Sequence, residues 1–124
     1  MTSDDEWMEF RVEARQGYVF IWQKGRAPDA ANIEAMQRAI EKGMAEAGTR
    51  DCLFDNRDTI QPDQLVRAAM WTWLTENVRR AALIQAEAKN IARAERTGER
   101  NRIAVRAFDN EADAEAWLLG KTAE

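Results

Sequence analysis

The chain has 124 residues, enough for one domain and too few for two independent cores. A composition of 45% hydrophobic and 32% charged residues, with 6 Gly and 2 Pro, excludes a collagen-like, low-complexity or disordered polymer. With 0 His, 1 Cys and Ser3 as the only serine, a zinc finger, a His-ligated haem, a disulfide framework and a Ser/His/Asp triad are excluded too, and a net charge of −4 gives no global footprint for nucleic acid.

Residues 1–7 begin an acidic stretch without the basic-then-apolar pattern of an export signal and read as a flexible N-terminus to a single domain spanning 1–124. No apolar run approaches the roughly 18 residues of a membrane-spanning helix, so a cytoplasmic protein is expected. Residues 8–14 alternate, with Phe10, Val12 and Ala14 on one face, and predict a half-buried strand; Trp7 would close its open end. Gln16-Gly17 offers a tight turn into Tyr18-Val-Phe-Ile-Trp22, apolar on both faces and therefore a more central strand paired as a hairpin. Pro28 and Asp29 suit the first turn of a helix carrying Ile33, Met36, Ile40, Met44 and Ala47 at helical spacing, with Gly48 as its stop.

Cys52-Leu-Phe54 predicts a short strand followed by a polar connection, Asp55 to Thr59. Cys52 in that run reads as a small buried hydrophobe, since no His stands ready to activate it. Pro62 reopens a helix whose apolar face is predicted as Leu65, Val66, Ala69, Met70, Trp73 and Leu74, with Trp71 about 60° beyond Leu74 and outside the buried stripe. Ala81-Ala-Leu-Ile84 is a strand, Glu87 to Thr97 a mostly polar helix stopped by Gly98, and Ile103 to Ala107 a last strand. In that strand Arg102 and Arg106 face away from Ile103, Val105 and Ala107, which marks an edge guarded by charge. Asn110 and Asp113 make a capping pair for a final helix ending at Gly120. The order ββαβαβαβα predicts an α/β domain: a five-stranded mixed sheet, N-terminal hairpin then βαβαβα, with about four helices.

This order resembles the STAS domain of anti-sigma-factor antagonists, and more closely its SpoIIAA-like branch, which is likened to Sec14-type lipid-binding domains. The specific likeness lies in Arg80-Ala-Ala-Leu-Ile84, in Arg102-Ile-Ala-Val-Arg-Ala-Phe108 and in Glu111-Ala-Asp-Ala-Glu-Ala-Trp-Leu118, similar to that family's penultimate strand, last strand and "EAxxWL" helix. The resemblance implies a bacterial regulatory or binding domain and carries the family's strand-ending aspartate onto Asp55. It does not carry over the phosphorylatable serine, because the second helix opens as Gln61-Pro-Asp-Gln64 without a hydroxyl. Thr59, upstream in the loop, is the only substitute there, and a kinase switch is not expected.

Ligands of open α/β sheets sit beyond the carboxyl ends of parallel strands, which nominates Asp55, Asn56, Arg57, Asp58 and Asp109 as a polar pocket. Asp55, Asp58 and Asp109 could hold a divalent cation, against which stands the ordinary use of such residues to cap helices and close turns; no metal and no cofactor are expected. Between Arg79 and Arg106 basic residues outnumber acidic ones, eight to three, which reads either as a solvated helix or as a surface for an anionic partner. No aromatic interrupts that stretch, so the stacking platform for single-stranded nucleic acid is missing. Arg67 beside Trp71 has the composition of an interface hot spot. Three readings follow: a non-enzymatic domain contacting a protein partner or its own copy through Arg67 and Trp71; a small-ligand or lipid carrier with a pocket between the sheet and the second helix lined by Met70, Trp73 and Leu74; and an enzyme using Asp55 and Asp58. An open pocket of several hundred Å³ would favour the second, a filled core the first.

Overall fold

The computed structural model describes residues 9–25, 30–60 and 64–121. The expectations for residues 1–7, Trp7, Pro28, Asp29, Gln61 and Pro62 lie outside the described residues. The elements are β1 (Glu9–Arg15), β2 (Tyr18–Gly25), α1 (Ala30–Ala47), β3 (Asp51–Thr59), α2 (Gln64–Asn77), β4 (Arg80–Ile84), α3 (Ala88–Arg100), β5 (Ala104–Phe108) and α4 (Glu111–Leu118). The strands form one five-stranded sheet in the order β1-β2-β3-β4-β5, antiparallel in the hairpin and parallel from β2 onward. This is the mixed α/β sheet that the sequence predicts, with β5 at an edge and β2 inside.

Strand order fixes the layers. Each crossover from β2 to β5 advances one strand in the same direction, and right-handed crossovers then leave α1, α2 and α3 on one face. Accordingly Ile33, Met36 and Ile40 of α1 bury with Val19, Ile21, Phe54 and Leu83 of the sheet. On the opposite face Ala114 and Leu118 of α4 cover Tyr18, Phe20, Leu53 and Ile84, with Trp22, Phe108 and Trp117 packed at the margin. The α4 start is capped as predicted: Asn110 accepts from the Asp113 amide at 2.8 Å. Gly43 lets α1 lie close on the hairpin, for a Cβ there would stand 3.0 Å from a Val19 methyl and 3.1 Å from one of Val12.

Four predicted details are corrected. β3 does not end at Phe54; pairing with β2 resumes past a bulge between Trp22 and Lys24 and carries the strand to Thr59. Gly98 does not stop α3, which runs on to Arg100. Gly98 is buried, and a Cβ on it would stand 2.6 Å from the Val105 Cβ, so this glycine serves close approach of helix to strand. The turn that ends α3 falls on Arg102, whose φ of 60° makes it a left-handed cap outside β5. The inward arc of α2 is also rotated from the predicted one. Leu65 is 84% exposed and Ala69 exposed, while Val66, Met70, Trp71, Trp73 and Leu74 pack partly buried toward the core. Arg67, also partly buried, lies one turn before Trp71 on the same side of the helix.

Candidate functional site

α2 differs from the other helices on its face because none of its residues is buried. Its C-terminal end is held: the Arg50 guanidinium donates to the carbonyls of Asn77 and Glu76 at 2.6 and 2.9 Å, and Val78 just beyond is buried. Along the rest of its length the helix stands off the sheet, and beneath it lies a cavity of about 1000 Å³. Its floor is apolar, made by Met36 and Ile40 of α1, Phe54 of β3 and Leu83 of β4, and its roof by Met70, Trp71, Trp73 and Leu74. It opens at the carboxyl ends of the parallel strands, where Gly25, Thr59, Ile60 and Gln85 line it, the place where open α/β sheets hold ligands.

The cavity wall also carries polar groups, among them the buried Gln23 of β2 and Gln37 of α1, and Asn56 and Thr59 of β3. Gln23, 4% exposed, donates from Nε2 to Asn56 Oδ1 at 2.6 Å, setting an amide pair into one wall. The Thr59 hydroxyl donates to the Asn56 carbonyl at 2.8 Å. Gln23 escaped the sequence reading, although a glutamine directly following the apolar run of β2 was its signal. The cavity rim carries Arg67, Lys89, Arg93, Arg96 and Arg100 with Glu87 as an acid among them, and Arg57, whose guanidinium is engaged by Asp55, also lines it.

The polar residues nominated by sequence do not converge. Asn56 faces the cavity, whereas strand alternation puts Asp55 with Leu53 on the α4 side. There Asp55, 6% exposed, takes both Nε and Nη2 of Arg57, at 3.0 and 2.8 Å. Burial pushes its carboxyl up, but the Arg57 hydrogen bonds and charge outweigh this and hold it below the usual carboxylate range. Asp58 is exposed, and Asp109 is exposed in the turn before α4, accepting from the Asn110 side chain at 2.7 Å. Among the described residues no group of Cys, Asp and Glu could hold a metal ion. Arg67 and Trp71 both line the cavity and are partly buried, so Trp71 is a roof residue and not an outward-facing flank.

At the opposite end of β3 stands a charge cluster that the sequence reading missed. Asp51, 2% exposed, takes Arg79 Nη2 at 2.6 Å and Arg80 Nη2 at 2.8 Å. Arg80 also donates to the Leu118 carbonyl at 2.5 Å and lies over the Trp117 ring, tying β3 and β4 to α4. The hollow beside it, about 610 Å³ and shallow, is bordered by Arg50 and Arg79, whose guanidinium groups are already engaged by the helix carbonyls and by Asp51. Cys52 is buried, and desolvation pushes its thiol up to about 12, leaving it a packing residue.

No protein-family model matches this chain, and no curated protein matches it. Solved structures do. An uncharacterized protein of the DUF3478 family with a SpoIIAA-like fold, from Shewanella loihica PV-4, superposes with a TM-score of 0.71 at 17% identity, covering 95% of this chain and 98% of that one. An anti-sigma factor antagonist from Mycobacterium paratuberculosis superposes with a TM-score of 0.64 at 13% identity, covering 96% and 99%. The fold is therefore SpoIIAA-like over nearly the whole chain. Among the described residues no helix is long and apolar enough to cross a membrane.

Proposed function

We propose that this chain is a non-enzymatic binding domain that holds a small apolar or amphipathic molecule between α2 and the sheet. The observation that carries this reading is the cavity of about 1000 Å³, at the upper end of the volumes that small-molecule sites occupy, roughly 300 to 1,000 Å³. A helix bearing two Trp and a Met over an apolar floor, yet burying none of them, leaves surface that a ligand would cover. The two carboxylates offered for catalysis do not support an enzyme, since Asp55 is tied to Arg57 and Asp58 stands apart in solvent. Native mass spectrometry on protein purified from its source tests the reading. A stoichiometric small-molecule adduct, lost on Trp71→Ala, is expected; ligand-free protein that also leaves an apolar dye dark overturns it.

A second reading, contact with a protein partner or a second copy, rests on Leu65 and Ile60, 84% and 43% exposed on and before α2. The same spectrum distinguishes it: a dimer that Leu65→Glu converts to monomer, with no small adduct, would favour it.

A further inference from the structure

The α3 cations give the cavity a ligand charge. Lys89, Arg93, Arg96 and Arg100 recur at intervals of four, three and four residues, which gathers them within about 60° of the helix circumference. All are exposed, and all line the cavity, as Arg67 of α2 does. Like charges so close along a helix repel. The neighbouring acids leave the three arginines of α3 unpaired: Glu99, three residues after Arg96, is exposed and forms no ion pair among the described residues. Glu95 lies on a different side of α3 and accepts from the Ala107 amide of the edge strand at 3.1 Å, and among the described residues Glu87 pairs with Lys89 alone, at 3.5 Å. Among the described residues Arg67, Arg93, Arg96 and Arg100 have no ion pair.

Resting on the reading of the cavity as a ligand site, we propose that its ligand is an anionic amphiphile: an apolar body under α2, with a phosphate or carboxylate head at the rim against Arg67, Arg93 and Arg96. Guanidinium groups suit such heads because their paired N–H donors match two oxygens at once. A neutral ligand would leave these cations uncompensated, and a cationic one would add to their repulsion.

Trp71 and Trp73 in the roof provide the readout, since their emission changes when water beneath them is displaced. Decyl phosphate, decanoate and decanol, all below micelle-forming concentrations and at low salt, share one tail and differ in the head. The expected result is one-to-one binding of decyl phosphate or decanoate about ten-fold tighter than decanol, the scale of a charge-assisted hydrogen bond; comparing the two anions tells phosphate from carboxylate. The double variant Arg93→Glu, Arg96→Glu should bring the anion and the alcohol to near parity while decanol binding stays as it was. Should the reversal unfold the protein, Arg93→Gln with Arg96→Gln serves the same purpose. Equal affinity of anion and alcohol for the native protein, or an anion preference that survives loss of both arginines, overturns the anionic head and leaves the cavity reading standing. Failure of all three amphiphiles to bind overturns both. Sedimentation with phosphatidylglycerol vesicles, without uptake of the free anion, would make the stripe a membrane-facing surface and also overturns the proposal.

Discussion

Asp51 begins β3 with 2% of its side chain exposed, and that burial is tolerable only because two guanidinium groups meet it. Burial pushes its carboxyl up, and the hydrogen bonds and charges of Arg79 and Arg80 more than reverse the effect, holding it below its ordinary value. A carboxylate whose folded pKa is depressed adds stability above its unfolded pKa, about 3.9, and loses it as pH falls through the folded value, because the unfolded chain takes up the proton first. Asp51→Asn should therefore cost about 2 to 3 kcal/mol near neutral pH. The gap to the native protein should narrow on acidification, as read from urea midpoints through the acid range; a gap independent of pH would assign the loss to packing instead. Arg79→Ala should cost clearly less than Asp51→Asn, since that side chain is 67% exposed and Arg80 remains in place. Cys52, one residue on, should resist alkylation in the folded state and react only as fast as the chain unfolds, which thiol labelling beside circular dichroism would show.

At the level of elements, Gly98 decides how closely α3 lies on β5. Alanine there would gain about 1 kcal/mol of helix propensity, yet its Cβ would stand 2.6 Å from a Cβ that belongs to the backbone framework of β5 and cannot swing aside. Gly98→Ala should on balance destabilise by about 1 to 3 kcal/mol, with part of the loss recovered in combination with Val105→Gly. Urea unfolding of the two single variants and the double closes that cycle; additivity would reject the contact. The same glycine explains a limit of the sequence: after a polar helix a glycine reads as a stop, and only the nearness of Val105 reveals its other use. Strand and helix existence was legible because periods of two and of about 3.6 are written into β1, β2 and α1. The orientation of α2 was not, since apolar residues border both sides of its arc, and choosing between Leu65 and Trp71 requires knowing which side finds the sheet. With no buried residue, α2 should exchange its amides through openings of lower free energy than β2 to β4, and an amphiphile in the cavity should slow them. Hydrogen exchange with and without decyl phosphate measures both.

Across the whole molecule the two faces of the sheet are packed differently, and no local pattern in the sequence announces it. Asp51, Arg79 and Arg80 could have been paired only by knowing that β3 and β4 run parallel with Asp51 opposite Arg80. The cavity is still less visible, because Met36, Ile40, Phe54 and Leu83 read as ordinary core residues and the space between them and α2 belongs to no single element. On the α4 face Leu53 has 0% exposure among Tyr18, Phe20, Ile84 and Leu118, so Leu53→Ala opens a void in a closed layer and should cost about 2 to 5 kcal/mol. Leu74 lies in the roof of a space already open to solvent, so Leu74→Ala only enlarges it and should cost about 1 kcal/mol, nearer its loss of transfer free energy alone. Saturating ligand should change that order: by linkage it raises the stability of the native protein and of Leu53→Ala alike, while Leu74→Ala, having lost part of the roof, gains less. Equal costs for the two leucines in ligand-free protein, measured by denaturant unfolding, would mean that α2 closes onto the sheet in solution and that the cavity does not persist.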